Sequence, residues 1–237
     1  MPTLNNSLEG GADGATITTG NSGGASGDAF GAATVDAGAS LIYTTAHAAH
    51  GSVGAQVSTG VGSGSAYVAW TSGLPATSPT VWARAYYRFA ANPAATVNVL
   101  RILSGSNGIM GTIRVNAAGT IGMLYGSGTL AGTSAAALTA GSWFRVETSV
   151  TAGSTTGAMS CRIFWSSDSE TPDQTLSIAN VNAGAVNPSR LRVGVVSNLA
   201  GVSPFQFDDL SLSDVTWPGP AGAAPPPPLF HGWGVPI

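Results

Sequence analysis

Acid, base and nucleophile chemistry needs particular side chains at particular spacings, and this chain holds few of them. Glu147 lies two residues from Arg145 on an alternating stretch, the one acid placed where a strand could turn a carboxylate into a cleft. Glycoside hydrolysis needs a second carboxylate roughly 5 to 10 Å away, and an Arg145–Glu147 ion pair on an exposed sheet face accounts for the pattern more simply. The acidic run from Asp168 through Glu170 to Asp173 contains Pro172 and reads as a solvated turn. His47 and His50 stand three apart in a Gly/Ala-rich loop with no carboxylate close by, a poor metal-ligand set. Gly20-Asn21-Ser22-Gly23-Gly24 has the letters of a nucleophile elbow, but no apolar strand feeds it and no helical pattern follows. All eight basic residues are arginine, so no Gly-rich loop is a P-loop. The single Cys161 excludes an intrachain disulfide and reads as a small buried hydrophobe. No catalytic machinery is expected.

The stronger candidates are aromatic. Over residues 81–89 the odd positions are Val81, Ala83, Ala85, Tyr87 and Phe89, and the even ones are Trp82, Arg84, Tyr86 and Arg88. Period-two alternation is a strand with one apolar face. Rings beside guanidinium groups suit a sugar face or a protein contact; the alternative is that loops cover this face and the side chains simply pack.

The elements that would carry these residues are short strands. Similar alternation returns at residues 97–103, 109–115, 120–125, 143–150, 159–165, 174–179, 190–196 and 205–215, separated by Gly- and Asn-rich turns. Regular short strands with such turns predict an all-β, antiparallel β-sandwich. Asn116 to Gly119 reads as a hairpin tip, with Gly119 supplying positive φ. The Gly-, Ala- and Ser-rich first 65 residues are expected to wrap the sandwich edge, with strands near 16–19, 40–44 and 53–57. Helix is confined at most to one turn at 134–138, whose simpler reading is a loop.

Composition narrows the function classes. Hydrophobic residues make up 43% and charged residues 8%, against roughly 25% charged in an average domain, so the chain folds rather than forming a charged disordered tail. The net charge is −3 and the arginines form no dense run, which opposes nucleic-acid binding. No segment approaches the ~18 apolar residues of a membrane span, and residues 1–6 carry no secretory pattern, predicting synthesis in a cytoplasm. One domain is expected over residues 1–217, then a Pro-rich linker, 218–228, in extended polyproline form. An apolar tail, 229–237, follows, in which Leu229, Phe230, Trp233 and Ile237 dock on a neighbouring subunit or fold back on the sandwich.

Asn6-Ser7-Leu8-Glu9-Gly10-Gly11, the run from Asn21 to Phe30, and Phe205-Gln206-Phe207-Asp208-Asp209-Leu210-Ser211-Leu212 resemble the first and last strands of concanavalin A-like and laminin-G-like jelly rolls and related carbohydrate-binding modules. Residues 82–89 and 141–147 resemble their core strands. The lysine-free composition and the Trp217-Pro218-Gly219-Pro220 ending resemble lectin-like virion proteins of actinobacterial phages. The resemblance implies a place on the particle, on the capsid as a decoration protein or on the tail as a minor tail protein, its partners a major capsid protein or tail subunits. The absence of shaft repeats favours non-enzymatic decoration of the capsid, and whether the protein is a homo-oligomer is left open. The alternative is a minor tail or receptor-binding protein, a carbohydrate-binding module for host-surface glycans. It also implies a structural calcium held by Glu9 and Asp208, with Asp28 near; the competing reading is that Asp208 or Asp209 caps turn amides or pairs with an arginine.

Overall fold

The computed structural model describes residues 3–74 and 77–222. The strands, in chain order, are β1 (Thr3–Asn6), β2 (Ala32–Val35), β3 (Ser40–Thr44), β4 (Gly54–Ser58), β5 (Gly64–Trp70), β6 (Thr80–Phe89), β7 (Val97–Ser104) and β8 (Ile109–Val115). They continue as β9 (Thr120–Tyr125), β10 (Thr129–Ala137), β11 (Trp143–Thr151), β12 (Gly157–Phe164), β13 (Gln174–Val181), β14 (Pro188–Leu199) and β15 (Phe205–Ser213). All pairings are antiparallel, in two sheets. The first runs β13-β12-β11-β6-β15-β4-β3, with β1 on β15 beside β4; the second runs β10-β9-β8-β7-β14-β5-β2. This is the predicted all-β sandwich, of the jelly-roll type.

Alternation decides what faces the core. Val81, Ala83, Ala85, Tyr87 and Phe89 are buried between the sheets, and the Tyr87 hydroxyl donates to the Val99 carbonyl of the opposite layer. Phe89 stacks on Phe205 with centroids 4.5 Å apart. Each fully buried ring contributes about 1.5–3 kcal/mol. A one-residue slip of β6 would drive Arg84 and Arg88 into this layer, so the register is fixed. Cys161 is fully buried, and burial pushes its thiol up, as expected of a packing cysteine. The 116–119 hairpin forms, with Gly119 at φ +80°.

Several expectations are corrected. Residues 134–137 are neither helix nor loop but the end of β10, where the Ser134 hydroxyl accepts the Ile121 N–H at a bulge; ladder pairing with β9 overrides alanine's helical preference. The strand expected at 16–19 is a single bridge from Thr16 to Ile42. Strands β1 and β2 carry too few bulky residues to stand out, and β5, with Ala66, Val68 and Trp70 facing the core, lies in the Gly-rich stretch and was not expected. Residues 218–222, assigned to the linker, pack on the first sheet. Residues 223–237, with Leu229, Phe230, Trp233 and Ile237, lie outside the described residues.

Candidate functional site

The even residues of β6 point away from the core, and cross-strand register gathers polar side chains around them. Arg145 of β11 stands opposite Tyr86 and Phe164, and Glu147 opposite Arg84 and Arg162. On the other side, Asp208 of β15 pairs with Tyr86, and Ser211 with Arg84. Four β15 residues, Asp208 to Ser211, thus span three on β6, Arg84 to Tyr86. The extra one, Asp209, has φ +48°, and this bulge turns Asp208 and Asp209 toward the same group of side chains.

Most of this face is closed. Three segments lie over it: the β3–β4 loop, the turn after β12, and residues 214–222 returning from β15. His50, from the first, sets Nδ1 2.5 Å from Asp209 Oδ2 and Nε2 3.1 Å from Asp168 Oδ1, and meets Tyr86 edge-on. Arg145 donates to the carbonyls of Ser167 and Ser169 in the turn. From the returning segment, Gly219 O accepts from Arg84 Nη1, Ala221 N–H donates to the Tyr86 hydroxyl, and the Trp217 ring lies 3.9 Å from the Arg162 guanidinium.

Beneath these segments, Arg145 Nε faces Glu147 Oε1 at 3.1 Å, with both side chains nearly inaccessible, and the guanidinium sits 3.8 Å over Phe164. Burial governs the electrostatics. It raises the Glu147 carboxyl against the pull of Arg145 and Arg84. It raises the Tyr86 phenol, and it lowers the Arg84 guanidinium. Asp208 is pushed well up, by burial first and by the adjoining Asp209 second.

Beyond the returning segment the face opens. Arg88, Gln206 and Gln56 stand directly opposite one another on β6, β15 and β4. Arg88 Nη1 donates to Gln206 Oε1 at 3.1 Å, and Gln206 Nε2 donates to Gln56 Oε1 at 3.1 Å. This three-strand row floors a cleft of about 370 Å³ whose walls include His47, Asn92, Pro93 and Pro204. Ligand pockets commonly measure about 300–1,000 Å³ and pair an apolar lining with a few convergent polar groups.

No protein-family model matches this sequence, and no curated protein does. Among solved structures, the chain is similar to an endo-β-1,4-glucuronan lyase from the fungus Trichoderma reesei, with TM-score 0.60 at 12% identity over 89% of this chain and 94% of that one. It is also similar to the PL-14 alginate lyase of Aplysia kurodai, with TM-score 0.56 at 10% identity over 73% of this chain and 86% of that one. A third is the cellulose-induced protein Cip1, with TM-score 0.56 at 14% identity over 78% and 89%. At such identity the likeness establishes the fold.

Of the sequence candidates, Trp82, Arg84, Tyr86 and Arg88 do share one outward face. Of the two readings left open, covering loops account for Arg84 and Tyr86, which are buried, and of the four only Arg88 reaches the cleft. The Arg145–Glu147 pair forms, but buried rather than exposed, because the covering segments lie far away in sequence. Asp168 is exposed yet closes onto His50 and the Tyr86 hydroxyl, so its turn is part of the site. Ser22 is buried, its hydroxyl accepting the Phe30 N–H.

Glu9 and Asp208, the calcium ligands that the resemblance implies, both face backbone donors, and a calcium there would draw most of its six to eight oxygens from other groups. The Glu9 carboxylate accepts the N–H groups of Ser52 and Val53 and the Ser52 hydroxyl. Asp208 accepts the N–H groups of Ala49 and Asp209, the capping role weighed as the alternative. Asp28 accepts Asn5 N–H. Among the described residues no three or more His, Cys, Asp and Glu side chains converge as metal ligands. Gln56 and Gln206 were missed from sequence; the signal was present, since Gln206 interrupts the apolar run around Phe205 and Phe207.

Proposed function

We propose that the protein is a non-enzymatic glycan-binding domain that holds a sugar in the open cleft of its first sheet. The observation that carries this reading is the Arg88–Gln206–Gln56 row at the cleft floor. Planar amides and a guanidinium at adjacent-strand spacing offer donors and acceptors to neighbouring sugar hydroxyls. Pro93 and Pro204 supply apolar walls for the C–H faces of the ring. The neighbours named for glucuronan, alginate and cellulose support a glycan as the ligand class. Binding of a glycan panel by the full chain, measured by calorimetry, tests it. Saturable binding lost at least tenfold in Gln206→Ala supports the reading, and undiminished binding in that variant refutes it.

The carrier belongs to the proposal too. Following the sequence resemblance, the domain sits on a phage particle, attached to capsid or tail subunits through its apolar C-terminal residues. Deleting residues 225–237 then abolishes co-purification with particles; retention at wild-type occupancy refutes the attachment.

One observation favours a second reading, cleavage of an acidic polysaccharide by elimination. Such a step needs a base for the proton beside a carboxylate and cations to hold that carboxylate. Tyr86 lies between Arg84 and Arg145 with His50 at its edge. Residues 214–222 would have to leave first. Unsaturated products from polyuronates, lost in Tyr86→Phe, would establish it.

A further inference from the structure

The eight arginines divide evenly between the two outer faces. Arg84, Arg88, Arg145 and Arg162 lie on the first sheet among carboxylates and carbonyls. Arg101, Arg114, Arg190 and Arg192 lie on the outer face of the second, on β7, β8 and β14. The seven strands of the second sheet contain no Asp or Glu. Asp36, just beyond β2, has its carboxylate on the Ser65 N–H.

The four form one patch. Arg101 and Arg192 are paired in register across β7 and β14, and like charges directly opposite destabilise a sheet. The Arg192 guanidinium lies 5.0 Å from the Tyr67 ring. Arg114 extends across Gly122, where a Cβ would stand 2.8 Å from its Nε. Arg101 donates to the Val196 carbonyl and Arg190 to Asn107 Oδ1. The Nε atoms of Arg101, Arg114 and Arg190 are buried and have no hydrogen-bond partner among the described residues, which leaves the outer guanidinium nitrogens to meet a ligand. Among the described residues, no ion pair involves any of the four.

We infer that this face is a second binding surface, for an acidic glycan whose carboxylate or sulfate groups complete the arginine patch. Guanidinium forks match both anions, and the Tyr67 ring beneath Arg192 holds that guanidinium on the face by a cation–π contact. A single-stranded nucleic acid would call for a series of aromatic stacking platforms, and Tyr67 is one ring. The inference is independent of the cleft, which lies on the opposite sheet.

The test is a titration of the full chain with a sulfated glycan, a polyuronate, a neutral glucan and a DNA oligomer over a range of salt. Salt-sensitive binding of one or both acidic glycans is expected, the two arms showing whether sulfate or carboxylate is preferred. The Arg101→Gln/Arg192→Gln double variant should weaken it at least tenfold and lower the slope of log affinity against log salt by about two. Acidic-glycan binding should weaken in the arginine variants while neutral-glucan binding does not, which separates this surface from the cleft. Should the double variant lose its thermal transition, Arg114→Gln/Arg190→Gln carries the same test. Absence of acidic-glycan binding, binding that follows Gln206 instead of the arginines, or tighter binding of DNA each overturns the inference.

Discussion

Replacing Arg145 with methionine tests whether the buried polar layer holds the covering segments down. The side chain is 1% exposed and serves Glu147, the Ser167 and Ser169 carbonyls and the Phe164 ring at once. Methionine keeps much of the volume but leaves Glu147 as an unpaired buried charge and two carbonyls without donors. Breaking a buried pair from one side costs about 3–5 kcal/mol, a large part of the ~5–15 kcal/mol that holds a domain together. Glu147→Gln should cost less, about 1–3 kcal/mol, because Arg145 keeps its carbonyl partners. Arg145→Met/Glu147→Gln removes both charges and should recover part of the loss, giving a coupling of about 1.5–3 kcal/mol. Urea unfolding followed by tryptophan fluorescence measures all three, and at ~2–4 °C per kcal/mol the first variant melts on the order of 10 °C lower. A loss under about 0.5 kcal/mol for Arg145→Met, or strict additivity in the cycle, would refute the reasoning.

Three further outcomes are expected. Burial raises the folded-state carboxyls of Asp208, Asp209 and Glu147 above their ordinary values, so the folded chain binds more protons than the unfolded one. Stability should therefore fall as pH rises from the ordinary carboxylate range through the raised values, and Asp208→Asn should flatten that slope in urea titrations at stepped pH; an unchanged slope counts against the assignment. Trp217→Ala removes the ring over Arg162 and should loosen residues 214–222 at a cost of about 1–2 kcal/mol; faster limited proteolysis there, with the body intact, is the readout. Gly111→Val should cost about 1–3 kcal/mol by overpacking, since even a Cβ would stand 2.6 Å from Val150 on the opposite sheet; an unshifted thermal midpoint contradicts that close approach.

Alternation alone made β6, β8, β9 and β11 legible, because a strand between two layers must sort apolar from polar side chains every second residue. The same sorting put Trp82, Arg84, Tyr86 and Arg88 on one face. It could not say whether that face is open. The groups that close it, His50, Ser167 and Ala221, lie between 36 and 135 residues from Tyr86, and such distances become contacts only through β15 running beside β6 and the bulge at Asp209.

Composition and alternation determined a foldable all-β chain, poor in charge and without lysine. Tertiary structure decided the rest. Register set Gln206 between Arg88 and Gln56 to make a cleft floor, and it distributed eight scattered arginines into two groups of four. A one-dimensional pattern records which way a side chain points from its own strand; only strand order fixes which side chains become its neighbours, and charge interacts with neighbours.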